Sequence, residues 1–115
     1  MLLRLDQALD LTTTLESGQA FRWQHKCGRW LGIIREQAVL LQERPGGLEY
    51  CTSMTNPERM GEILLRYFRM DDDLQAIHHT LSQDHHLANV VQRHQGLRLL
   101  RQEPWECLIS FICSQ

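Results

Sequence analysis

The chain has 115 residues, of which 43% are apolar, and a formal net charge of −2 at pH 7. This length and composition predict one globular domain with an ordinary core. A domain that holds nucleic acid by itself is usually basic, so this charge argues against a surface that supplies most phosphate contacts alone. The first residues become charged too soon for a signal peptide, and no apolar run is long enough to span a membrane. We therefore expect a soluble, intracellular protein.

Four cysteines, none of them in a C-x-x-C pair, bear on the redox state and on metal binding. They are Cys27, Cys51, Cys107 and Cys113. The last two lie six residues apart in a predicted helix, too far for a disulfide along a regular helix. The simplest expectation is free, buried thiols in a reducing compartment. A zinc site formed with some of the histidines has no ligand spacing to support it.

The N-terminal half predicts an antiparallel sheet of about four to five strands. Residues 3–11 alternate loosely between leucine and polar residues, which predicts an edge strand interrupted near Gln7. A turn-rich segment around Gly18 follows. Strands are then predicted at residues 20–25, 29–34, 38–42 and 48–52, with Phe21 and Trp23 on one face of the first of them. These strands would form a meander.

After residue 52 the apolar period changes from 2 to 3.6, which predicts helices. Thr55 or Asn56 can cap a helix that has Pro57 in its first turn. Glu62 and Arg66 are spaced to form an ion pair on its outer face. The helix carries an apolar stripe made of Met60, Ile63, Leu64, Tyr67 and Phe68. A sheet followed by helices predicts an α+β fold.

Aspartates, histidines and one lysine are the remaining candidates for chemistry. The run at residues 71–73 and Asp84 are placed to cap two short helices, whereas a hard cation needs carboxylates from more than one segment. Adjacent histidines at 78–79 and 85–86 point in different directions, so solvated helix faces are favoured over a metal site. Lys26, the single lysine, lies in a predicted turn, where a solvated ammonium is a poor nucleophile. We expect no catalytic residue, metal or cofactor in this chain.

The last segment predicts a helix with a start signal and no stop signal. Pro104 suits a first helical turn, and apolar residues recur from Trp105 to Ile112 and cover much of the circumference. No glycine, asparagine or basic cap follows. We therefore expect this helix to be covered by a further part of a larger protein. The alternative is a terminal helix that docks on the domain's own core and frays at its end.

Two stretches, LESGQAFRW at residues 15–23 and GLRLLRQEPWECLISFICS at residues 96–114, closely resemble the amino-terminal domain of 8-oxoguanine DNA glycosylases. The similarity extends over nearly the whole chain. It implies a two-layer sheet-and-helix module resembling half of a TATA-binding protein. It also implies that residues 1–115 are this N-terminal domain and that the catalytic helix-hairpin-helix domain, with its lysine and aspartate, is absent from the chain.

The resemblance implies roles for a few residues of this chain. Gly18 matches the glycine whose main-chain carbonyl faces the base pocket, where it accepts from the N7 hydrogen of 8-oxoguanine and repels the N7 lone pair of guanine. Arg98 and Arg101 would reach DNA phosphate or serve as structural residues at the domain junction. Ser114 and Gln115 would lie at that junction too. The implied partners are double-stranded DNA containing 8-oxoguanine, bound through the complete protein, and the catalytic domain.

Alternatives remain open for the function and for the glycine. The chain could be a free-standing TATA-binding-protein-like module that binds a partner without enzyme activity, and Gly18 could serve the turn alone. Phe21 and Trp23 are expected to be core residues behind the Gly18 loop. A DNA-repair role implies the bacterial cytoplasm or the eukaryotic nucleus.

Overall fold

A five-stranded antiparallel sheet forms most of the N-terminal half of the chain in the computed structural model, which describes residues 1–114. The strand order is β1-β5-β4-β3-β2, so the first strand is an edge strand beside the last, as predicted. Helices follow the sheet, which confirms the α+β class. The elements are β1 (Leu2–Arg4), α1 (Leu11–Leu15), β2 (Gln24–Lys26), β3 (Arg29–Ile34), β4 (Gln37–Arg44), β5 (Gly47–Thr52), α2 (Pro57–Tyr67), α3 (Leu74–Leu81), α4 (His85–Arg93) and α5 (Pro104–Cys113).

Tight hairpins fix the register of the sheet, because each turn is closed by a pair of residues with only two residues between them. Lys26 pairs with Arg29, and Ile34 pairs with Gln37. Side chains of β3 then alternate strictly between exposed and buried, as a half-buried strand requires. One face of the sheet thereby forms one side of the hydrophobic core. Its buried side chains are Trp30, Ile34, Val39, Leu41, Leu48 and Tyr50.

Helix α2 covers this face with the apolar stripe that the sequence predicts. Asn56 caps it by accepting a hydrogen bond from the Arg59 amide, and Pro57 occupies its first turn. All five stripe residues are at most 9% exposed. The predicted Glu62–Arg66 pair is not formed, because Glu62 instead contacts Arg59, with 3.0 Å between Nη1 and Oε2. That pair is exposed, so it stabilises the helix little.

Two predictions for the N-terminal region are wrong. The edge strand predicted for residues 3–11 ends at Arg4. Residues 11–15 form a helix, where the end of that strand and the start of the turn-rich segment are predicted, because amides of its first turn find side-chain acceptors. The Asp10 carboxylate accepts from the Thr13 amide, and the Glu43 carboxylate accepts from the Leu11 amide at 2.6 Å. The predicted strand 20–25 begins only at Gln24. Helix α1 buries Leu11 and Leu15 against the core.

Helices α3, α4 and α5 contribute no buried side chain. Asp73 caps α3 and Asp84 caps α4, so the aspartates act as the sequence predicts. No group of three or more metal-ligating side chains occurs within residues 1–114. In the same residues, no helix is long and apolar enough to cross a membrane.

The cysteines differ from expectation in one respect. All four thiols are free, yet all four are exposed instead of buried. Cys27 lies in the β2–β3 turn and Cys51 points away from the core on β5. Cys107 and Cys113 belong to α5, a helix that buries none of its side chains. Their exposure therefore follows from the position of that helix.

Candidate base-recognition loop and domain junction

Gly18 lies at the exposed tip of the loop between α1 and β2. Its φ angle is +86°, a backbone conformation that residues with a side chain rarely adopt, so this position favours glycine. A Cβ atom built there would meet no other atom within 4 Å. No donor among residues 1–114 forms a hydrogen bond with the Gly18 carbonyl oxygen. The loop thus presents a main-chain acceptor with open space around its α-carbon.

The neighbouring residue, Gln19, ties this loop to a segment 80 residues later in the chain. Its side-chain Nε2 donates to the carbonyl oxygen of Arg98 at 2.8 Å, while its Oε1 accepts from the Leu100 amide at 2.8 Å. This pair of bonds imitates the pairing of one β-strand with another. A third bond runs from Gln102 Nε2 to the main-chain carbonyl of Gln19 at 2.6 Å. The loop is therefore held through both the side chain and the main-chain carbonyl of Gln19.

The same segment is also held against α1. The Asp10 amide donates to the carbonyl of Gly96 at 2.8 Å, and the Arg98 amide donates to the hydroxyl of Thr14 at 3.2 Å. Thr14 is fully buried, so this polar contact is shielded from water. Residues 96–102 consequently form one unit with α1 and the Gly18 loop, although they belong to no helix or strand.

Arg98 is a structural residue in this arrangement, because it is only 2% exposed. Its Nε donates to the carbonyl of Ala8 at 2.7 Å, and its two terminal nitrogens donate to the carbonyl of Arg69 and to Gln7 Oε1, both at 2.9 Å. Burial lowers the pKa of the guanidinium from its ordinary value. Of the two roles considered for Arg98, phosphate contact and structure, this placement favours the second.

Arg101 lies nearer to the surface, with its side chain 28% exposed. It forms a two-nitrogen, two-oxygen ion pair with Asp71, both contacts being 3.2 Å long. The hydrogen bond from Arg101 lowers the pKa of the Asp71 carboxyl. The Arg101 amide also donates to the carbonyl of Tyr67 at 2.8 Å. Arg101 therefore joins the end of α2 to the segment that leads into α5.

Helix α5 leaves its large apolar side chains exposed. Glu103 caps its start by accepting hydrogen bonds from the amides of Trp105 and Glu106. Trp105 is 67% exposed and Phe111 is 60% exposed. Leu108, Ile109 and Ile112 are also exposed. This excludes the alternative in which the helix docks on the domain's own core, and it leaves an apolar surface of the kind that marks an interaction site.

The end of α5 holds the two remaining candidates. Ser114 is exposed and caps the helix, with its hydroxyl donating to the carbonyl of Phe111 at 2.7 Å. Gln115 lies outside the described residues. The Ser114 hydroxyl forms no hydrogen bond with the Gly18 loop among the described residues, and its junction role stays a prediction.

A cleft of about 240 Å³ opens between the Gly18 loop region and the start of α5. Arg22 and Glu106 form an ion pair at its edge, with 2.8 Å between Nη1 and Oε1. Trp23 is half-buried, and its indole N–H donates to the hydroxyl of Tyr67 at 3.0 Å. Burial raises the pKa of that tyrosine. The core prediction thus holds in part for Trp23 and is wrong for Phe21, which is 59% exposed in this cleft.

A family model described as "8-oxoguanine DNA glycosylase, N-terminal domain" matches residues 2–108. The chain belongs to this family. As a member of the 8-oxoguanine DNA glycosylase N-terminal domain family, it has the five-stranded sheet and helices of its structural relatives.

Three similar proteins place this N-terminal domain in context. The N-glycosylase/DNA lyase OGG1 of Arabidopsis thaliana is 35% identical over 92% of this chain. A structure of MBOgg1 in complex with a low-affinity DNA ligand matches 99% of the chain with a TM-score of 0.86 and 34% identity. The 8-oxoguanine glycosylase/lyase of Clostridium acetobutylicum, in complex with double-stranded DNA containing cytosine opposite 8-oxoG, matches 99% with a TM-score of 0.81 and 29% identity. The chain spans 30%, 39% and 42% of these proteins, respectively.

Sequence reasoning missed the residues that hold the loop of this glycosylase N-terminal domain. Gln19 lies within the motif on which the family resemblance depends, and Gln102 lies two residues before α5, but the sequence pattern indicates a role for neither. Glu43, which caps α1, was also missed. A glutamine amide has the same donor and acceptor as a peptide group, which is the one signal that could have suggested pairing with backbone. The partner segment, however, is 80 residues away.

Proposed function

We propose that this chain is the amino-terminal part of a DNA glycosylase and AP lyase that removes 8-oxoguanine from double-stranded DNA. The observation that carries the proposal is the family match over residues 2–108. The exposed apolar surface of α5 supports it, because a helix-hairpin-helix catalytic domain would cover that surface in the complete protein. Such a protein would act in the bacterial cytoplasm or the eukaryotic nucleus. In the complete protein residues 1–115 would scaffold the catalytic domain, and alone they would not catalyse the reaction.

In this proposal the Gly18 carbonyl reads the oxidised base. 8-Oxoguanine carries a hydrogen on N7, whereas guanine has a lone pair there, so a fixed carbonyl accepts from the first and repels the second. Leaving a buried polar partner unpaired costs on the order of 1–3 kcal/mol, or roughly ten- to hundredfold in selectivity. The exposed tip of the loop and its unbonded carbonyl support this role. Arg101, Ser114 and Gln115 would lie at the junction with the catalytic domain.

Replacing Gly18 with valine in the complete protein tests the recognition role. A β-branched residue resists a φ of +86°, so the loop must change conformation and move the carbonyl. We expect the ratio of excision rates for 8-oxoguanine over guanine to fall. Gly28→Val is the matched control, because Gly28 has a φ of +76° and equally open surroundings but lies in the β2–β3 turn. An unchanged ratio in Gly18→Val would contradict the role.

Borohydride trapping on a duplex containing 8-oxoguanine tests the proposed activity. The complete protein is expected to form a covalent adduct through a lysine of its catalytic domain, since reduction fixes the Schiff base of a lyase. Residues 1–115 alone should form none, because Lys26 is exposed at the end of β2 and a solvated ammonium is a poor nucleophile. An adduct with the isolated chain that Lys26→Arg abolishes would contradict this assignment. If the complete protein forms no adduct, the lyase part of the proposal fails. Release of free 8-oxoguanine from the same duplex then separates a glycosylase without lyase activity from an interaction module without enzyme activity.

A further inference from the structure

We infer that Gln19 and Gln102 are positioning residues that set the direction of the Gly18 carbonyl, an inference that rests on the proposed function. Gly18 cannot hold this direction itself, since glycine has no side chain and its carbonyl forms no hydrogen bond within residues 1–114. Any fixed direction must come from its neighbours. The neighbour on one side is Gln19, which is the most extensively bonded residue of the loop.

The planarity of the peptide bond transmits the position of Gln19 to the carbonyl. The Gly18 carbonyl and the Gln19 amide lie in one plane whose two ends are the α-carbons of these residues. Both the side chain and the main-chain carbonyl of Gln19 are bonded to the segment of residues 98–102. Because the side chain and the carbonyl of Gln19 are both held, the tetrahedral geometry at its α-carbon also fixes the position of its amide nitrogen. The Gly18 carbonyl can then change direction only by rotation about φ of Gln19, which steric contacts restrict in a residue with a side chain. A fixed acceptor direction is what discrimination between a donor and an acceptor on N7 requires.

Gln102 gives this arrangement a second purpose, because it joins the loop to the start of α5. It directly precedes Glu103, whose carboxylate caps that helix. Its 2.6 Å bond to the Gln19 carbonyl therefore couples the carbonyl of Gly18 to the helix that would lead into the catalytic domain. One glutamine would thus help to fix the position of the base-reading carbonyl relative to the catalytic groups.

The decisive variant is Gln102→Glu, which keeps the shape of the side chain and replaces its donor with an acceptor. A carboxylate oxygen facing the Gln19 carbonyl repels it, so that end of the loop is released. Gln102→Met removes the donor without adding charge and serves as a second variant. Gln92→Glu is the matched control, since Gln92 is exposed on α4 and makes no side-chain hydrogen bond within residues 1–114.

The experiment measures the affinity of the complete protein for three duplexes, which carry 8-oxoguanine, guanine or an abasic-site analogue opposite cytosine. We expect both Gln102 variants to lose preference for 8-oxoguanine over guanine, by about tenfold for Gln102→Glu. Affinity for the abasic analogue should persist, because that duplex presents no base to the carbonyl. Gln92→Glu should change neither quantity.

Two results would overturn the inference while leaving the proposed function in place. One is an unchanged preference in both Gln102 variants. The other is a parallel loss of affinity for the 8-oxoguanine and abasic duplexes, which would indicate a merely structural role. If the unaltered protein shows no preference for 8-oxoguanine, the proposed function itself fails, and the inference fails with it.

Discussion

Arg98→Met removes a buried guanidinium and keeps most of the apolar length of the side chain. In the native structure this group donates three hydrogen bonds, to the carbonyls of Ala8 and Arg69 and to the side chain of Gln7. These acceptors come from the segment after β1 and from the end of α2. Arg98 therefore joins three parts of the chain that no helix or strand connects directly.

The expected cost follows from what each acceptor loses. Arg69 and Gln7 retain another donor, namely the amides of Asp72 and Leu74. Within residues 1–114 the Ala8 carbonyl has no second donor, so it carries the full penalty of about 1–3 kcal/mol. The two other charge-assisted bonds add a smaller loss, which is offset in part because the guanidinium no longer has to be desolvated. We expect Arg98→Met to lower the free energy of unfolding by about 3 kcal/mol.

Urea unfolding of the 115-residue chain, followed by tryptophan fluorescence, measures this free energy. The matched control is Arg93→Met, because Arg93 is exposed on α4 and forms no side-chain hydrogen bond within the described residues. That control should change stability by less than about 0.5 kcal/mol. If Arg98→Met changes the free energy of unfolding no more than Arg93→Met does, the three hydrogen bonds do not stabilise the segment of residues 96–102, and the reasoning is wrong.

Three further predictions concern the surface and the sheet. Phe111→Glu should reduce concentration-dependent self-association of the isolated chain in sedimentation experiments, because it places a charge in the exposed apolar surface of α5. Asp71→Asn should make the free energy of unfolding fall less steeply with acidification. Arg101 lowers the pKa of Asp71 in the folded chain, so the ion pair stabilises fully above the ordinary pKa of about 3.9, and this stabilisation is lost as the pH falls through the lowered pKa. Gly32→Ala should lower stability by about 1–3 kcal/mol, because a Cβ atom there overlaps the Trp23 ring.

Each of these predictions has an opposite outcome that would contradict it. Self-association that Phe111→Glu leaves unchanged would mean that another surface drives it. Acid unfolding that runs in parallel for the wild-type chain and Asp71→Asn would show that the ion pair adds nothing measurable. A Gly32→Ala chain with wild-type stability and unchanged tryptophan fluorescence would mean that the ring moves aside without cost.

Hairpins and capped helices were predictable because their causes lie close together in the chain. The strand at residues 29–34 and the helix beginning at Pro57 have the bounds or the stripe that their periodicity indicates. Asp73 and Asp84 cap the helices that directly follow them. In the three caps, formed by Asn56, Asp73 and Asp84, the donor and the acceptor are at most three residues apart, so local sequence contains both partners.

Elements that depend on distant partners were mispredicted. Residues 11–15 form a helix capped in part by Glu43, a residue 32 positions away on β4. Phe21 alternates with polar residues as a strand residue would, yet it lies exposed in the cleft beside α5. Leucine alternation over a short window does not distinguish a strand from one turn of helix.

The candidate site divides in the same way. The sequence alone determined the family through its motif, the presence of a glycine in the turn-rich segment, and the apolar character of α5. Only the tertiary structure decided that α5 is uncovered, that Arg98 is buried, and that Gln19 and Gln102 hold the loop. The physical reason is that hydrogen bonds between residues about 80 positions apart depend on how the chain folds back, and a local pattern carries no record of that path.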